Sequence, residues 1–340
     1  MSSGCARPTT ESRSSPTPTA ELPDSGARRY WWIWIAVVPV AAWTLVRLLG
    51  LDGGFPLATL MAFTPYAAVA ALLLAGVAMA LRNWAASTVA AVATIALALA
   101  VLPRAIGDDT VSAAGHETLD VLAANVHRGT ADPDALVALV DRLDPDVLSV
   151  EELTPAFARK LERAGLGELL PQALLDLRPR ASGGGLYSRL PLRELAAPDG
   201  LVLPDGRQMP VARLRLPDGR AVRIVSVHPD IPGDGSTKRW EGALASLPSA
   251  GAGAPWVLAG DFNATLDQSA LREVLDRGYR DAAEVAGAGL EPTFPRSGHL
   301  IPPVTIDHVL ADRRLGVVAY SVEDVPGSDH RAVYAVLALP

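Results

Sequence analysis

Apolar positions fall into two regimes along this chain. Between residues 30 and 102 they run almost without interruption, whereas beyond residue 116 they come in short blocks separated by charge. Three of the uninterrupted runs reach bilayer length. Residues 30–49 hold one charge, Arg47, and residues 57–81 and 84–102 hold none. A helix of about 20 apolar residues crosses a hydrocarbon core, so the pattern predicts three transmembrane helices at about 30–49, 57–81 and 84–102. Trp31, Trp32 and Trp34 cluster at one end of the first, where an interfacial aromatic belt would lie. A signal peptide accounts for only one such run and needs a small-residue cleavage site. Core helices of a soluble domain seldom come as three near-chargeless spans in succession.

Basic residues orient these spans. Arg7, Arg13, Arg28 and Arg29 precede the first, and Arg82 fills the loop between the second and third. Arg47 and Arg104 fall on the other side, the latter diluted by Asp108 and Asp109. The bias predicts a cytoplasmic N-terminus, a multi-pass protein of the cell membrane, and an extracellular C-terminal domain. Residues 1–29 are rich in Ser, Thr and Pro, too poor in large apolar groups to fold, and are expected to be a disordered cytoplasmic head. Residues 104–117 are expected to be a linker, and residues 118–340 the folded domain.

In that domain the pattern predicts strands over 118–125, 146–150, 184–188, 211–216, 221–227, 256–259, 305–311, 315–322 and 332–337. Helices are predicted over 132–142, 155–164, 237–247 and 268–277. Asp132-Pro133 supplies an N-cap and first-turn proline for one helix, and Pro217-Asp218-Gly219-Arg220 a hairpin turn. So many strands mixed with helices argue for an α/β sandwich of two sheets. The strict βαβ alternation of a dinucleotide-binding domain is absent. Gly183-Gly184-Gly185 lacks the Lys-Ser/Thr of a phosphate loop.

Charge narrows the partners. The whole chain carries a formal net charge of −7. From residue 116 onward there are 23 Arg and Lys against 31 Asp and Glu. A nucleic-acid binder usually shows a basic face, so nucleic acid is disfavoured as a substrate, though a small or lipid-borne phosphate held by a metal is not. The single cysteine, Cys5, lies in the head and supports no disulfide framework. The composition leaves the oligomeric state open.

Several polar clusters sit at the ends of apolar, strand-like runs. Glu152 follows Val147-Leu148-Ser149-Val150-Glu151 and is the best candidate for a first magnesium ligand, since Mg2+ takes one or two carboxylates together with water and phosphate. The alternative is a carboxylate that opens the next helix. Asn125 is weaker, because Asn often simply closes a strand. In Gly260-Asp261-Phe262-Asn263 an extended chain turns Phe262 away, so that the acid and the amide face one side. Such an Asp can align or deprotonate a water, and the amide can donate to a phosphoryl oxygen. His228, His308 and His330 follow strands or stand beside acids, and Asp307 or Asp329 could fix a histidine tautomer. His116 and His299 are read as loop residues.

The ordered set Asn125, Glu152, His228, Gly260-Asp261-Phe262-Asn263, Ile306-Asp307-His308 and Ser328-Asp329-His330 resembles the endonuclease/exonuclease/phosphatase superfamily over residues 118–338. The resemblance implies a four-layer α/β sandwich, as in pancreatic deoxyribonuclease, and Mg2+-dependent cleavage of a phosphate ester or anhydride, with Mn2+ as a substitute. It implies Glu152 as principal metal ligand with Asn125 and Asp329, and Asp261 as orienter of the attacking water. Asn263 would bind the scissile phosphate, and Asp307 would pair with His330. His228 would contact the phosphate or protonate the leaving group. Glu151 stands where relatives often carry Gln, and could itself be the ligand. His127 stands where some relatives carry an acid or amide.

Membrane spans followed by this domain resemble actinobacterial membrane proteins associated with teicoplanin resistance. That likeness implies a phosphorylated lipid, such as undecaprenyl pyrophosphate, as substrate and the bilayer as partner. An extracellular metal-dependent nuclease or other phosphodiesterase, and a non-catalytic envelope sensor, are the alternatives.

Overall fold

Residues 1, 30–108, 110–179, 183–196, 209–296 and 300–340 are described by a computed structural model. The expected head, apart from Met1, and His299 lie outside these residues.

The apolar region begins with α1 (Trp34–Leu49), preceded by a 3-10 turn at Trp31–Ile33. After it come α2 (Leu57–Met61), α3 (Thr64–Ala80), α4 (Trp84–Val101) and the short α5 (Pro103–Ile106). The second expected span, 57–81, is therefore not one helix. Pro65 sits in the first turn of α3, and the helix is interrupted between Met61 and Thr64. Two helices are long and apolar enough to cross a membrane, Trp31–Leu49 and Trp84–Val101, while Thr64–Ala80 is shorter. Ile33, Val37, Ala78, Ala86 and Ala90 form their common core.

The expected linker is not free. Arg104 is buried, the Asp108 N–H donates to Val285 O, and the Val111 N–H donates to Val317 O. The sheet domain then runs β1 (Thr118–Asn125), α6 (Pro133–Leu143), β2 (Val147–Glu151), α7 (Pro155–Arg163), α8 (Leu166–Leu169), β3 (Gln172–Asp176), β4 (Gly184–Ser188) and β5 (Leu192–Glu194). It continues β6 (Val211–Arg215), β7 (Ala221–Val227), α9 (Thr237–Ala245), β8 (Trp256–Asp261), α10 (Ser269–Asp276), β9 (Tyr279–Asp281), α11 (Ala282–Val285), β10 (Asp307–Asp312), β11 (Gly316–Asp324) and β12 (Arg331–Ala338).

These strands make two six-stranded sheets, ordered β11-β12-β1-β2-β4-β3 and β5-β6-β7-β8-β10-β9. Alternation within the strands sorts the side chains into layers. Leu119, Val121 and Ala123 of β1 meet Ile224, Val257 and Ala259 of the other sheet in the central core. Leu122, Ala124 and Leu148 face outward onto Leu136, Val140 and Phe157 of α6 and α7. Val225, Val227 and Leu258 face the opposite way, onto Trp240, Leu244, Leu271 and Val274 of α9 and α10. The result is an α/β sandwich of two sheets with helices on both outer faces.

Caps set where the crossover helices begin. The Asp132 carboxylate accepts the N–H groups of Asp134 and Ala135 at the start of α6, and the Thr154 hydroxyl accepts that of Phe157 in α7. Each sheet holds one parallel pair, β1 with β2 and β7 with β8. The carboxyl ends of these pairs, joined by the amino ends of β10 and β12, share one rim of the sandwich.

The apolar helices are locked to the domain at a buried charge cluster. Asp267, between β8 and α10, accepts from Arg47 Nε at 2.9 Å and from both terminal nitrogens of Arg104 at 2.8 Å. The Ser269 N–H donates to the Asp52 carboxylate at 2.9 Å, and the Gly54 N–H to Glu241 at 2.9 Å.

Candidate active site

All eight candidate residues named above arrive at that shared rim. Register explains the convergence: Asn125 closes β1 opposite Glu151, and Asp307 opens β10 opposite Asp261. His228 follows β7 directly, and His330 precedes β12. Glu152, Asp261, Asn263, Asp329 and His330 line one cleft of about 310 Å3, together with His127 and Arg128.

Asp261 is the hub. Its Oδ2 accepts from Asn125 Nδ2 at 3.0 Å and lies 3.8 Å from the Nε2 atoms of both His228 and His330. Its Oδ1 accepts the Asn263 N–H at 2.8 Å. That bond makes the Asp-Phe-Asn unit a turn, with Asn263 at φ 49°, rather than the extended segment expected. Phe262 still points away, fully buried in the outer core. Burial pushes the Asp261 carboxyl up from its usual range, partly offset by His330 and His228.

His330 is held from behind by Asp307, whose carboxylate oxygens lie 3.0 and 3.2 Å from Nδ1. Phe294 covers the ring at a centroid distance of 4.7 Å. Burial disfavours the charged ring, but Asp307 and Asp261 outweigh it and push His330 up to about 10. His308 plays no part in the cleft. Its ring nitrogens lie 2.6 Å from an Asp281 carboxylate oxygen and 2.8 Å from Ala264 O, a buried structural link. His116 lies in a turn with Nδ1 3.3 Å from Leu339 O, as expected for a loop residue.

The neighbouring glutamates are separated by orientation. Glu151 lies wholly buried between the sheets, where Ser149 Oγ and Ser226 Oγ donate to its Oε1 at 2.5 and 3.3 Å. Burial pushes its carboxyl well above the usual range. Gly260 makes room for it: at φ 141°, a Cβ there would stand 2.3 Å from Val227 O and 2.7 Å from Glu151 Oε1. Glu152 turns into the cleft with φ 57°. Its Oε1 is 4.0 Å from His228 Nε2, and its Oε2 is 3.8 Å from Arg128 Nε. Burial raises its carboxyl too, abetted by Asp261 and opposed by His330 and Arg128.

Two kinds of observation fit a divalent cation. Glu152 Oε2 and Asp329 Oδ1 are buried and accept no hydrogen bond. Glu151 Oε2, between the sheets, likewise accepts none, and Arg128 already stands 3.8 Å from Glu152 Oε2; a divalent cation in the cleft would meet the remaining acceptor capacity of Glu152 and Asp329. His127 Nδ1 stands 3.2 Å from Asp329 Oδ1, and the His127 N–H donates to Asn125 Oδ1 at 2.9 Å. Asp261, Asp307 and His330 also offer ligand atoms within 4.8 Å of one another. In that second group, however, His330 Nδ1 is already engaged by both oxygens of Asp307.

Backbone strain is concentrated here. Among the described residues six non-glycine positions have positive φ, and four of them (His127, Arg128, Glu152 and Asn263) line the cleft. Arg128 and the apolar residues Phe63, Ile231, Phe294 and Ile301 also line the cleft, and no sequence motif marks them. Their only local signal was nearness to a motif residue, and for Phe63 there was none.

Comparison with protein families matches residues 122–330 to the Endonuclease/Exonuclease/phosphatase family. No curated protein matches the chain. Among solved structures, an endonuclease/exonuclease/phosphatase from Beutenbergia cavernae is 20% identical with a TM-score of 0.52, over 66% of this chain and 72% of that one. Humanized D. rerio TDP2 is 16% identical with a TM-score of 0.53, over 65% of this chain and 98% of that one. An AP endonuclease from Archaeoglobus fulgidus is 15% identical with a TM-score of 0.51, over 64% and 98%. These likenesses show the shared fold. With the motif residues gathered in one cleft, the chain belongs to the Endonuclease/Exonuclease/phosphatase family of metal-dependent phosphoester hydrolases.

Proposed function

We propose that this protein is a membrane-anchored, Mg2+-dependent hydrolase whose extracellular domain cleaves a lipid-linked phosphate or pyrophosphate, such as undecaprenyl pyrophosphate. The observation that carries the reading is the Asp267 cluster. Arg47 at the end of α1 and Arg104 just after α4 meet on one carboxylate of the catalytic domain. The first and last apolar helices thus end on the same side, against the domain, as an odd number of crossings requires. Only 22% of the first helix and 28% of the last is buried, which suits lipid-facing spans better than core helices.

Glu152, Asn125 and Asp329 would hold the divalent cation, which supplies charge neutralisation and polarisation of a phosphoryl oxygen. Asp261 accepts a proton from the attacking water, or orients it, and its raised pKa suits that task. Asn263, whose Nδ2 donates to Pro229 O at 3.2 Å, and His228 present N–H groups to phosphoryl oxygens. The Asp307–His330 pair keeps a positive charge beside Asp261, where negative charge gathers on the transferred group.

A nuclease is the second reading, since one neighbour of similar fold, D. rerio TDP2, was solved with a single-strand DNA product. The acidic balance of the domain weighs against it. A substrate panel on the full chain decides between them. Mg2+-dependent phosphate release from polyprenyl pyrophosphate, without plasmid nicking, supports the lipid reading, and the reverse outcome supports the nuclease. Protease added to intact cells tests the orientation: residues beyond 116 should be cut, and protection would reverse the topology.

A further inference from the structure

Half of the catalytic cleft is apolar, and the chemistry above makes no use of it. Ala62, Phe63, Ile231, Phe294 and Ile301 line it alongside the acids and histidines. Ala62 and Phe63 belong to the segment that joins α1 to α3, so one wall of a hydrolase site is built from the membrane region of the chain.

That segment is fixed in place. Ala58 is buried in the core beneath α9 and α10, and the Gln268 side chain donates to Ala58 O at 2.8 Å. The Thr59 hydroxyl donates to Pro232 O, and the Tyr66 hydroxyl to Pro303 O at 2.7 Å. Each of these two bonds ties the membrane segment to one rim of the cleft, next to Ile231 and near Ile301. Ile231 is 67% exposed and Ile301 47% exposed. Large apolar side chains at the mouth of a polar site serve no core, and an apolar patch continuous with lipid-facing helices marks a surface for apolar chains.

We propose that Phe63, Ile231 and Ile301 form a subsite for the hydrocarbon chain of the substrate, which enters the cleft from the bilayer with its phosphate directed toward Asn263 and Glu152. The inference rests on the phosphorylated-lipid reading and adds to it the residues that set chain preference. It makes the enzyme selective for long apolar chains over the same headgroup carried on a short one.

The test uses the full chain in lipid nanodiscs, with a long-chain polyprenyl pyrophosphate and with isopentenyl pyrophosphate, which has the same headgroup on a very short chain. Ile231→Asn and Ile301→Asn change exposed positions that the fold does not need. Each is expected to lower the long-to-short ratio of kcat/KM by about tenfold, as loss of one buried apolar contact implies. Binding of a fluorescent polyprenyl phosphate in EDTA should weaken by a similar factor, a readout independent of turnover. A ratio and a binding constant that both stay within about twofold of wild type overturn the subsite. If the wild-type protein hydrolyses neither pyrophosphate, the phosphorylated-lipid reading falls, and the subsite falls with it.

Discussion

Arg104 grips Asp267 with both terminal guanidinium nitrogens, 2.8 Å from each carboxylate oxygen, with the acid side chain wholly buried and the arginine 5% exposed. The pair joins residues 163 positions apart, and Arg47 adds a third bond from the end of α1. A carboxylate shared by two buried guanidiniums is the joint between the apolar helices and the hydrolase domain.

Breaking that joint from the acid side should be severe. Asp267→Ala leaves two buried cations without their partner, and removing one member of a buried pair costs about 3–5 kcal/mol. Thermal unfolding of the full chain in detergent should show a clear loss of stability. An unchanged midpoint would mean that the cluster is not structural.

Asp261→Asn is close in size and removes the proton-accepting capacity, with loss of one of the two hydrogen bonds that Oδ1 and Oδ2 accept. General-base catalysis is worth roughly 10²–10⁴-fold, so kcat should fall by that factor while circular dichroism stays native. A loss of less than about tenfold would assign the base elsewhere.

The two glutamates should respond differently to the same change. Glu152→Gln removes a charge from the cleft and should raise the Mg2+ concentration needed for half-maximal activity by at least about tenfold, the scale that loss of even an outer-shell partner reaches. Glu151→Gln changes a side chain that is wholly buried between the sheets and bonded to Ser149 and Ser226, so the Mg2+ requirement should stay close to wild type. The opposite pattern would make Glu151 the ligand.

Asp312, far from the cleft, contributes to acid stability. Burial works against the Asp312 charge, but hydrogen bonds from the Arg314 side chain and backbone and from the Gly251 N–H hold its carboxyl at about 2. The folded-state value lies below the unfolded value of about 3.9. The stabilisation is therefore fully present above pH of about 4 and lost as pH falls through about 2. Denaturant titrations should show the gap between wild type and Asp312→Asn closing over that window. A pH-independent gap would remove the carboxylate from the account.

Much of this site was legible because each chemical residue closes or opens a strand. Asn125, His228, Asp261 and His330 all follow or precede apolar alternation that marks the strand, and the strand ends share one rim. The choice between Glu151 and Glu152 was not legible. Alternation says only that neighbours point opposite ways, and the turn at Glu152 with φ 57° is invisible in residue types. The break at residues 62–63 had one local signal, Thr64-Pro65 at a helix start, masked by the chargeless apolar residues on both sides. Three strands carry little signal: β5 and β9 are three residues long, and β3 is largely exposed, with Leu174 its one side chain packed on the central core. The Asp267 joint depends on contacts more than 160 positions apart, which no local pattern carries.

The most direct test of the account is phosphate release from a long-chain polyprenyl pyrophosphate by the full chain reconstituted in vesicles. Release should require Mg2+, stop in EDTA, and be lost in the Asp261→Asn protein. No release from the lipid, with plasmid DNA cut by the same preparation, would contradict it.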